Sequence, residues 1–271
     1  MPIGLIAGNG TFPFLVLRAA RRLGHDVTVV AIQGEASREL DAAARELGGA
    51  TVTWIALGQL GKCISTFTDA GVTRAVMAGQ VKHVKLFGGV LPDLTLLAVL
   101  RRLTSKNTDA LIAAVAAVLE ERGITLMDST ALLADLLAKP GVLTRRAPND
   151  PMRADFEVGY RVADVIAGLD VGQLVVVKDR AVVAVEAMEG TDAMLRRAAA
   201  LVEGKPLRLV KGSRRRQHLL FDVPVVGPQT IEVMKETGTT ALAIDVGRTL
   251  LLDRDELLLR ANAAGIAIIA G

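Results

Sequence analysis

The sequence predicts an α/β fold with two domains: an N-terminal domain built on a mostly parallel sheet and a smaller C-terminal α/β domain. Short runs of β-branched residues alternate with helix-type periodic segments along the chain. Half of the 271 residues are hydrophobic (51%), enough for a sizeable core. Residues 139–152 are rich in proline and poor in periodicity, which is typical of a linker. We therefore expect domains at 1–150 and 151–271.

The first half opens with a β-loop-α-β unit. Residues 3–7 predict a strand, residues 13–23 a helix with Pro13 in its first turn, and residues 25–32 a second strand. This order predicts a Rossmann-like, doubly wound domain. The same patterns predict further strands at 51–55, 73–78 and 124–127, and helices at 35–47, 60–70, 92–102, 107–123 and 128–138.

The loop after the first strand is a candidate site for phosphate or nucleotide, although glycines that merely form a tight turn explain it equally well. It is a poor dinucleotide fingerprint, because Pro13 replaces the third glycine and Gln33 stands where a ribose-binding acid is expected. NAD is therefore not expected. The candidate substrate-binding residues of this loop are Gly8, Asn9, Gly10 and Thr11.

A second candidate follows the strand at 73–78. Ligands of open α/β sheets bind beyond the carboxyl ends of the strands, and Gln80 lies at such an end. The basic residues Lys82, His83 and Lys85 come next and could meet phosphates, although a solvated loop also fits them.

The second half also alternates strands and helices. Residues 174–177 and 181–185 flank Lys178-Asp179-Arg180 and predict a hairpin, although its turn lacks glycine. The other predicted helices are 153–169, a segment ending at Glu236, and 253–264, and the other predicted strands are 207–210, 240–244, 248–252 and 266–269.

The hairpin leads into a turn crowded with polar residues, Glu186-Ala-Met-Glu-Gly-Thr-Asp192. Thr191 is predicted to cap the following helix. Asp192 is predicted to lie in its first turn, where a carboxylate interacts favourably with the positive end of the helix dipole. Free N–H groups at such an end can hold a phosphate. Acidic side chains there can instead hold a metal ion that bridges phosphates. The alternative is a capped helix with solvated charges.

Asp222 is flanked by apolar residues and a proline in Phe221-Asp-Val-Pro-Val-Val-Gly227. This setting argues against a solvent-exposed charge without a specific role. The basic run at 211–218 precedes it and is predicted to be partly exposed or to face a pyrophosphate. Asp222 is thus a candidate metal ligand or base.

Composition excludes several classes. Aromatic residues make up only 3% of the chain, which argues against stacking on nucleic-acid bases. The net charge of +3 suits an anionic ligand or an anionic membrane surface. Cys63 is the sole cysteine, so neither an internal disulfide nor a cysteine-rich zinc site is expected. We expect a cytoplasmic protein without a transmembrane span, with peripheral contact with the inner membrane left open.

Several segments together resemble the LpxI family, the UDP-2,3-diacylglucosamine pyrophosphatases of lipid A biosynthesis. They cover the chain in order: Gly-Leu-Ile-Ala-Gly-Asn-Gly-Thr-Phe-Pro at 4–13, Gly-Gln-Val at 79–81, Gly172-Gln173, Val-Glu-Ala-Met-Glu-Gly-Thr-Asp-Ala-Met-Leu-Arg-Arg at 185–197, and Phe-Asp-Val-Pro-Val-Val-Gly at 221–227. The Glu-Gly-Thr-Asp-Ala-Met block is the most specific of these.

The resemblance implies hydrolysis of UDP-2,3-diacylglucosamine to UMP and 2,3-diacylglucosamine 1-phosphate, with water directed at the phosphate on the sugar side. It also implies a divalent metal, normally Mg²⁺, two domains that enclose the lipid, a homodimer, a Gram-negative-type bacterium, and Asp222 as the catalytic aspartate. The candidate metal ligands are Asp222, Glu186, Glu189 and Asp192. The candidate substrate-binding residues of the second half are Gln173, Gly190, Thr191 and, of two adjacent arginines that point in different directions, Arg196.

The chain departs from the family pattern just before Asp222. His218 stands where the family usually has an acid, and Leu220 where it usually has an arginine. Arg214, Arg215 or Arg216 could supply the missing cation, whereas neutral histidine is a poor ligand for Mg²⁺. Two alternatives therefore stay open: a non-catalytic lipid-nucleotide-binding or regulatory homologue, and a nucleotide-dependent transferase or oxidoreductase suggested only by the glycine loop.

Overall fold

The computed structural model describes residues 1–79, 81, 91–103, 108–128, 130–169, 171–202, 206–212 and 223–271. Within this part the chain forms two units, one comprising residues up to Leu133 and the other beginning at Ala134. Residues 134–150, which the sequence assigns to the first domain, belong to the second unit. Each unit has its own sheet and its own hydrophobic core.

The first unit is built on a five-stranded sheet in which every strand pair is parallel. Its order is β3-β2-β1-β4-β5. The strands are β1 Ile3–Ala7, β2 Val27–Ile32, β3 Ala50–Ile55, β4 Arg74–Ala78 and β5 Thr125–Leu126. The helices are α1 Phe12–Arg22, α2 Glu39–Leu47, α3 Leu60–Asp69, α4 Leu94–Arg102 and α5 Thr108–Glu120. The predicted parallel α/β sheet is confirmed.

This sheet is covered on both faces, as parallel sheets usually are. Every residue of β2 is buried. Phe67 of α3 packs so closely on β1 that a Cβ on Gly4 would lie 2.9 Å from its ring. Asp93 joins two helices, because its carboxylate accepts the N–H of Leu96 in α4 (2.8 Å) and that of Gly61 in α3 (2.7 Å).

The second unit contains a mixed six-stranded sheet and a small two-stranded one. Its strands are β6 Gly141–Val142, β7 Leu174–Lys178, β8 Ala181–Val185, β9 Leu207–Lys211, β10 Val225–Val226, β11 Thr239–Ile244, β12 Leu250–Leu251 and β13 Ala267–Ala270. Its helices are α6 Asp150–Gly168, α7 Thr191–Leu201, α8 Pro228–Glu236 and α9 Arg254–Ala263, with a 3₁₀ turn at Ala134–Leu136. The order of the larger sheet is β6-β13-β11-β9-β7-β8.

Strands β9, β11 and β13 of this sheet are parallel, whereas β7 is antiparallel to both β8 and β9. The predicted β7–β8 hairpin is confirmed. Its two turn residues, Asp179 and Arg180, both have positive φ (50° and 63°), as the turns favoured by hairpins require. The buried carboxylate of Asp155 accepts the Arg180 N–H (2.7 Å), which compensates for the absence of glycine.

The helix predicted at 128–138 is wrong. Asp128 Oδ1 accepts both the N–H (2.7 Å) and the hydroxyl (2.5 Å) of Thr130, which closes a tight turn at this point. Only the 3₁₀ turn follows, and Leu137 then bridges to Leu250.

The stretch predicted as a linker, residues 139–152, makes ordered contacts within the second unit. Strand β6 pairs antiparallel with β13, and the Thr144 hydroxyl accepts the Ile268 N–H (2.8 Å). In the described part of the chain, no helix has the length and apolar character needed to cross a bilayer.

Candidate functional site

The first unit brings two sequence-predicted segments together at the carboxyl end of its sheet. Strand β1 lies between β2 and β4, and the chain runs from β1 outward through β2 to β3 and then returns to β4 on the other side of β1. A ligand crevice is expected at this reversal of strand order. The loop at 8–11 follows β1, and Gly79 follows β4. The Gly8 N–H donates to the carbonyl of Ala78 (2.8 Å), which fixes the two strand ends side by side.

Gly79 allows the two loops to touch through their backbones. Its φ is +87°, and a Cβ there would lie 2.4 Å from the carbonyl oxygen of Asn9 and 2.8 Å from the carbonyl carbon of Gly8. A side chain is therefore excluded by both conformation and space. The sequence pointed to the glutamine that follows, but Gln80 lies outside the described residues.

The loop itself is open. Asn9, Gly10 and Thr11 are exposed, and the Asn9 side chain accepts the Gly10 N–H (2.7 Å). Thr11 directly precedes α1, and its hydroxyl makes no capping hydrogen bond there. Backbone N–H groups at a helix start can bind an anion. This loop suits a phosphate, and its role as a substrate contact stays a prediction.

In the second unit, several candidate residues meet at one edge of the sheet. Strands β8 and β9 run in the same direction, so Glu186 and Gly212 follow strands that end at this edge, and Gln173 precedes β7 there. The backbone carbonyl of Gln173 accepts a hydrogen bond from the Gly212 N–H (3.0 Å). The backbone N–H of Gln173 donates to Glu186 Oε2 over a longer distance (3.5 Å). A Cβ on Gly172 would lie 2.1 Å from the Glu186 carbonyl oxygen, so this glycine permits the close approach.

The predicted N-cap at Thr191 is wrong by one residue. The cap of α7 is Gly190, whose φ of +80° favours glycine. Thr191 begins the helix, and its hydroxyl donates to Glu186 Oε1 (2.9 Å). The hydroxyl is therefore used to fix the glutamate rather than to cap a helix N–H.

Glu189 is bound to an arginine that the sequence did not select. Arg197 Nη2 donates to Glu189 Oε1 (2.5 Å) and to the carbonyl of Val185 (3.1 Å). The other carboxylate oxygen of Glu189 accepts the Ala187 N–H (3.2 Å). The hydrogen bond from Arg197 is the main cause that lowers the pKa of Glu189. This pair closes the turn on itself.

Arg196, the predicted substrate contact, is engaged elsewhere. Its Nε and Nη2 donate to the two carboxylate oxygens of Glu236 in α8, both at 2.9 Å. The two arginines do point in different directions, but it is Arg197 that contacts the turn. The helical period predicts that two adjacent side chains point in different directions, but it does not predict which of them contacts the turn.

The predicted metal ligands are oxygen donors of the kind that Mg²⁺ prefers. Among the residues that the structure describes, no three acidic, histidine or cysteine side chains gather into a metal site. Glu186 is fixed by Thr191, Glu189 is paired with Arg197, and Asp192 lies half-buried in the first turn of α7. The predicted catalytic residue, Asp222, lies outside the described residues, as do His218 and Leu220. Because Mg²⁺ commonly takes only one or two carboxylates together with substrate phosphates, Glu186 fits such a site.

Comparisons with known proteins cover nearly the whole chain. Residues 2–136 match the model of the LpxI N-terminal domain, and residues 139–269 match that of the LpxI C-terminal domain. One similar protein is UDP-2,3-diacylglucosamine pyrophosphatase LpxI of Caulobacter vibrioides, which is 31% identical over 98% of this chain and 96% of its own length. The chain belongs to the LpxI family.

Proposed function

We propose that this protein hydrolyses the pyrophosphate of UDP-2,3-diacylglucosamine, yielding UMP and 2,3-diacylglucosamine 1-phosphate in lipid A biosynthesis. The observation that carries the proposal is the similarity, over 98% of the chain, to a relative whose name states this pyrophosphatase activity. The arrangement of polar groups in each unit supports it.

The chemistry has an electrostatic problem, since a pyrophosphate is anionic and repels a nucleophile. A divalent ion, when bound, would neutralise this charge and lower the pKa of a water molecule. Glu186 and Asp222 are the residues that would hold it. Glu186 suits the task because Thr191 fixes one of its oxygens at 2.9 Å and the Gln173 N–H lies near the other. A carboxylate positioned in this way loses little freedom on binding.

The remaining groups have distinct roles in this proposal. Asp222 accepts a proton from the attacking water. The water oxygen forms a bond to the phosphorus on the sugar side, and the bond from that phosphorus to the bridging oxygen breaks, so that UMP leaves. The N–H groups at the start of α7, beyond Gly190, bind phosphate oxygens, helped by the positive end of the helix dipole.

The first unit contributes nucleotide binding in this proposal. The exposed loop of Asn9, Gly10 and Thr11 offers backbone N–H groups, and Gly79 brings a second backbone segment against it. Such a site holds phosphates without adding positive side chains, as the switch points of open α/β sheets commonly do.

The test is hydrolysis of UDP-2,3-diacylglucosamine in ¹⁸O-labelled water, with Mg²⁺, Mn²⁺ or a chelator. We expect UMP release that requires the metal, with the label in 2,3-diacylglucosamine 1-phosphate. Label in UMP would reverse the site of attack. No UMP release under any condition would overturn the proposed activity.

A second candidate, a non-catalytic homologue that binds the lipid nucleotide, is favoured by one observation. His218 and Leu220 replace an acid and an arginine in the pattern that precedes Asp222. Tight binding of UDP-2,3-diacylglucosamine without turnover would select this candidate.

A further inference from the structure

A half-buried lysine lies at the same edge of the second sheet as Glu186. Lys211 is the last residue of β9, and the N–H of the next residue, Gly212, is bonded to the Gln173 carbonyl at this edge. Of the lysines that the structure describes, only Lys178 and Lys211 are not exposed. Because lysine side chains are mostly exposed, a half-buried lysine at this edge calls for a specific role.

The strand register places Lys211 and Glu186 on the same face of the sheet. Lys211 pairs with Leu174 across β9 and β7. Val185 pairs with Val175, and the N–H of Glu186 donates to the Leu174 carbonyl (2.9 Å), so Glu186 is opposite Leu174 on its other side. Residues directly opposite each other in antiparallel strands point to one face. Lys211, Leu174 and Glu186 therefore form one row, whose two charged residues are about 10 Å apart, or two strand spacings.

The ammonium group of Lys211 is held on this face. Its Nζ donates to the carbonyl of Val225 (2.8 Å) in β10, and the neighbouring Val226 packs in the same core as Leu174. A carbonyl oxygen fixes the ammonium without cancelling its charge, and a side chain that is already fixed loses less entropy when it binds a ligand. Val225 follows Asp222 by three residues along the chain. The lysine thus connects the strand edge to the segment that follows the predicted catalytic residue.

This row suits a pyrophosphate. Glu186, at one end, is the residue that would hold a metal ion, and Lys211 brings a positive charge to the other end. A pyrophosphate carries negative charge on both of its phosphate groups, so it is bound best by positive charge on more than one side. Lysine is a frequent phosphate ligand because its ammonium is a compact point charge with several N–H donors.

We propose that Lys211 is a phosphate-binding residue of the second unit, which donates to the pyrophosphate of the nucleotide sugar from the end of the row opposite to Glu186. The inference deepens the proposed function and rests on it. It gives the second unit a cation for the substrate other than Arg214, Arg215 or Arg216.

The test compares Lys211→Gln and Lys211→Arg, with Lys178→Gln as the matched control. Glutamine removes the charge but can still donate to the Val225 carbonyl, whereas arginine keeps both the charge and the donors. Lys178 is also half-buried, but it lies at the opposite end of β7 and is bonded to Asp179 (2.5 Å). Two quantities are measured: kcat and KM for UDP-2,3-diacylglucosamine, and the Kd of inorganic pyrophosphate by calorimetry at low and high salt. Melting temperatures verify that each variant is folded.

We expect Lys211→Gln to lower kcat/KM by about 10²-fold, the order found when one donor to a reacting anion is removed. Pyrophosphate should bind about 10-fold more weakly, as expected for the loss of a hydrogen bond between charged groups. This difference in affinity should shrink at high salt, because salt screens the charge of the ammonium. Lys211→Arg should recover part of both losses, since arginine keeps the charge in a different shape. Lys178→Gln should behave like the wild type.

Two results would overturn the inference while leaving the proposed function intact. In the first, the wild-type protein is active and Lys211→Gln matches Lys178→Gln in kcat/KM and in pyrophosphate affinity, which would place the phosphate contact among Arg214, Arg215 and Arg216. In the second, folded Lys211→Arg binds pyrophosphate no better than Lys211→Gln, so that the charge has no part in binding. A wild-type protein that neither releases UMP nor binds pyrophosphate would instead overturn the proposed function.

Discussion

The two units hold their candidate site residues in different ways. In the first, two backbone segments touch at Gly79 and Asn9, and no charged side chain is needed for the contact. In the second, the side chains of Glu186 and Glu189 are each held by another side chain, Thr191 and Arg197 respectively. The first site should therefore be sensitive to added volume, and the second to removed charge or hydrogen bonds.

The largest effect is expected from Glu186→Gln in the second unit. Glutamine has nearly the same volume as glutamate and can still accept the hydrogen bond from the Thr191 hydroxyl. It lacks the negative charge that binding of a metal ion would require. We expect kcat to fall by about 10²-fold or more with little change in melting temperature. Initial rates of UMP release measure this.

Glu157→Gln is the matched control for that change, because Glu157 is exposed on α6. Equal activity of the two variants would show that the turn at residues 186–192 takes no part in the reaction. The second unit would then not depend on the charge of this turn.

Gly79→Ala tests the first unit in the same manner. The new Cβ would lie 2.4 Å from the Asn9 carbonyl oxygen at a positive φ, so the loop must shift. We expect a loss of about 2–3 kcal/mol in the free energy of unfolding, since strained backbone alone costs 1–3 kcal/mol. Nucleotide affinity should fall as well. Urea unfolding and UDP titration measure the two effects.

Gly123→Ala separates conformation from crowding. Gly123 also has positive φ (+75°), but a Cβ there would meet nothing within 4 Å. We expect only the backbone cost, about 1 kcal/mol, and unchanged UDP binding. If both alanine variants behave alike, the contact between the two loops has no special importance.

Asp93→Ala should destabilise the first unit less than Gly79→Ala does, and it should leave nucleotide affinity unchanged. It removes the caps on Leu96 and Gly61 together, and we expect a cost of about 2 kcal/mol. Asp93→Asn should cost less, because its amide keeps one acceptor oxygen. Thermal unfolding measures this, and an Asn variant as unstable as the Ala variant would argue against the double cap.

The smallest effect concerns the Glu189–Arg197 pair and pH. Arg197 lowers the pKa of Glu189 below its usual value of 4.5 in the folded state. The pair therefore stabilises the fold fully above about pH 4.5, and its contribution disappears as the pH falls through the lower, folded pKa. The small difference in melting temperature between wild type and Arg197→Gln should vanish in acid. A difference that grows as the pH falls would contradict the assignment.

The sequence predicted the parallel sheet from the alternation of strands and helices. It also placed two candidate segments, the 8–11 loop and the residues after β4, beyond the ends of strands, but their contact through Gly79 came from the structure. It could not predict the turn at Asp128, where a side chain competes with the helix for a backbone N–H. It placed the cap at Thr191, although Gly190 takes the conformation that only glycine adopts readily.

The choice between Arg196 and Arg197 depends on tertiary partners. Glu236 lies forty residues from Arg196 along the chain, and nothing local indicates that the two pair. The sequence showed Gly172 only as part of a Gly-Gln motif and did not predict its close approach to Glu186. Residues that act through long-range contacts therefore required the structure.

The decisive measurement is the initial rate of UMP release from UDP-2,3-diacylglucosamine by the wild-type protein and by Glu186→Gln, with Mg²⁺ and with a chelator. We expect rapid release only by the wild-type protein with Mg²⁺. Release that depends neither on the metal nor on Glu186, or no release by a wild-type protein that binds the substrate, would contradict the proposed function.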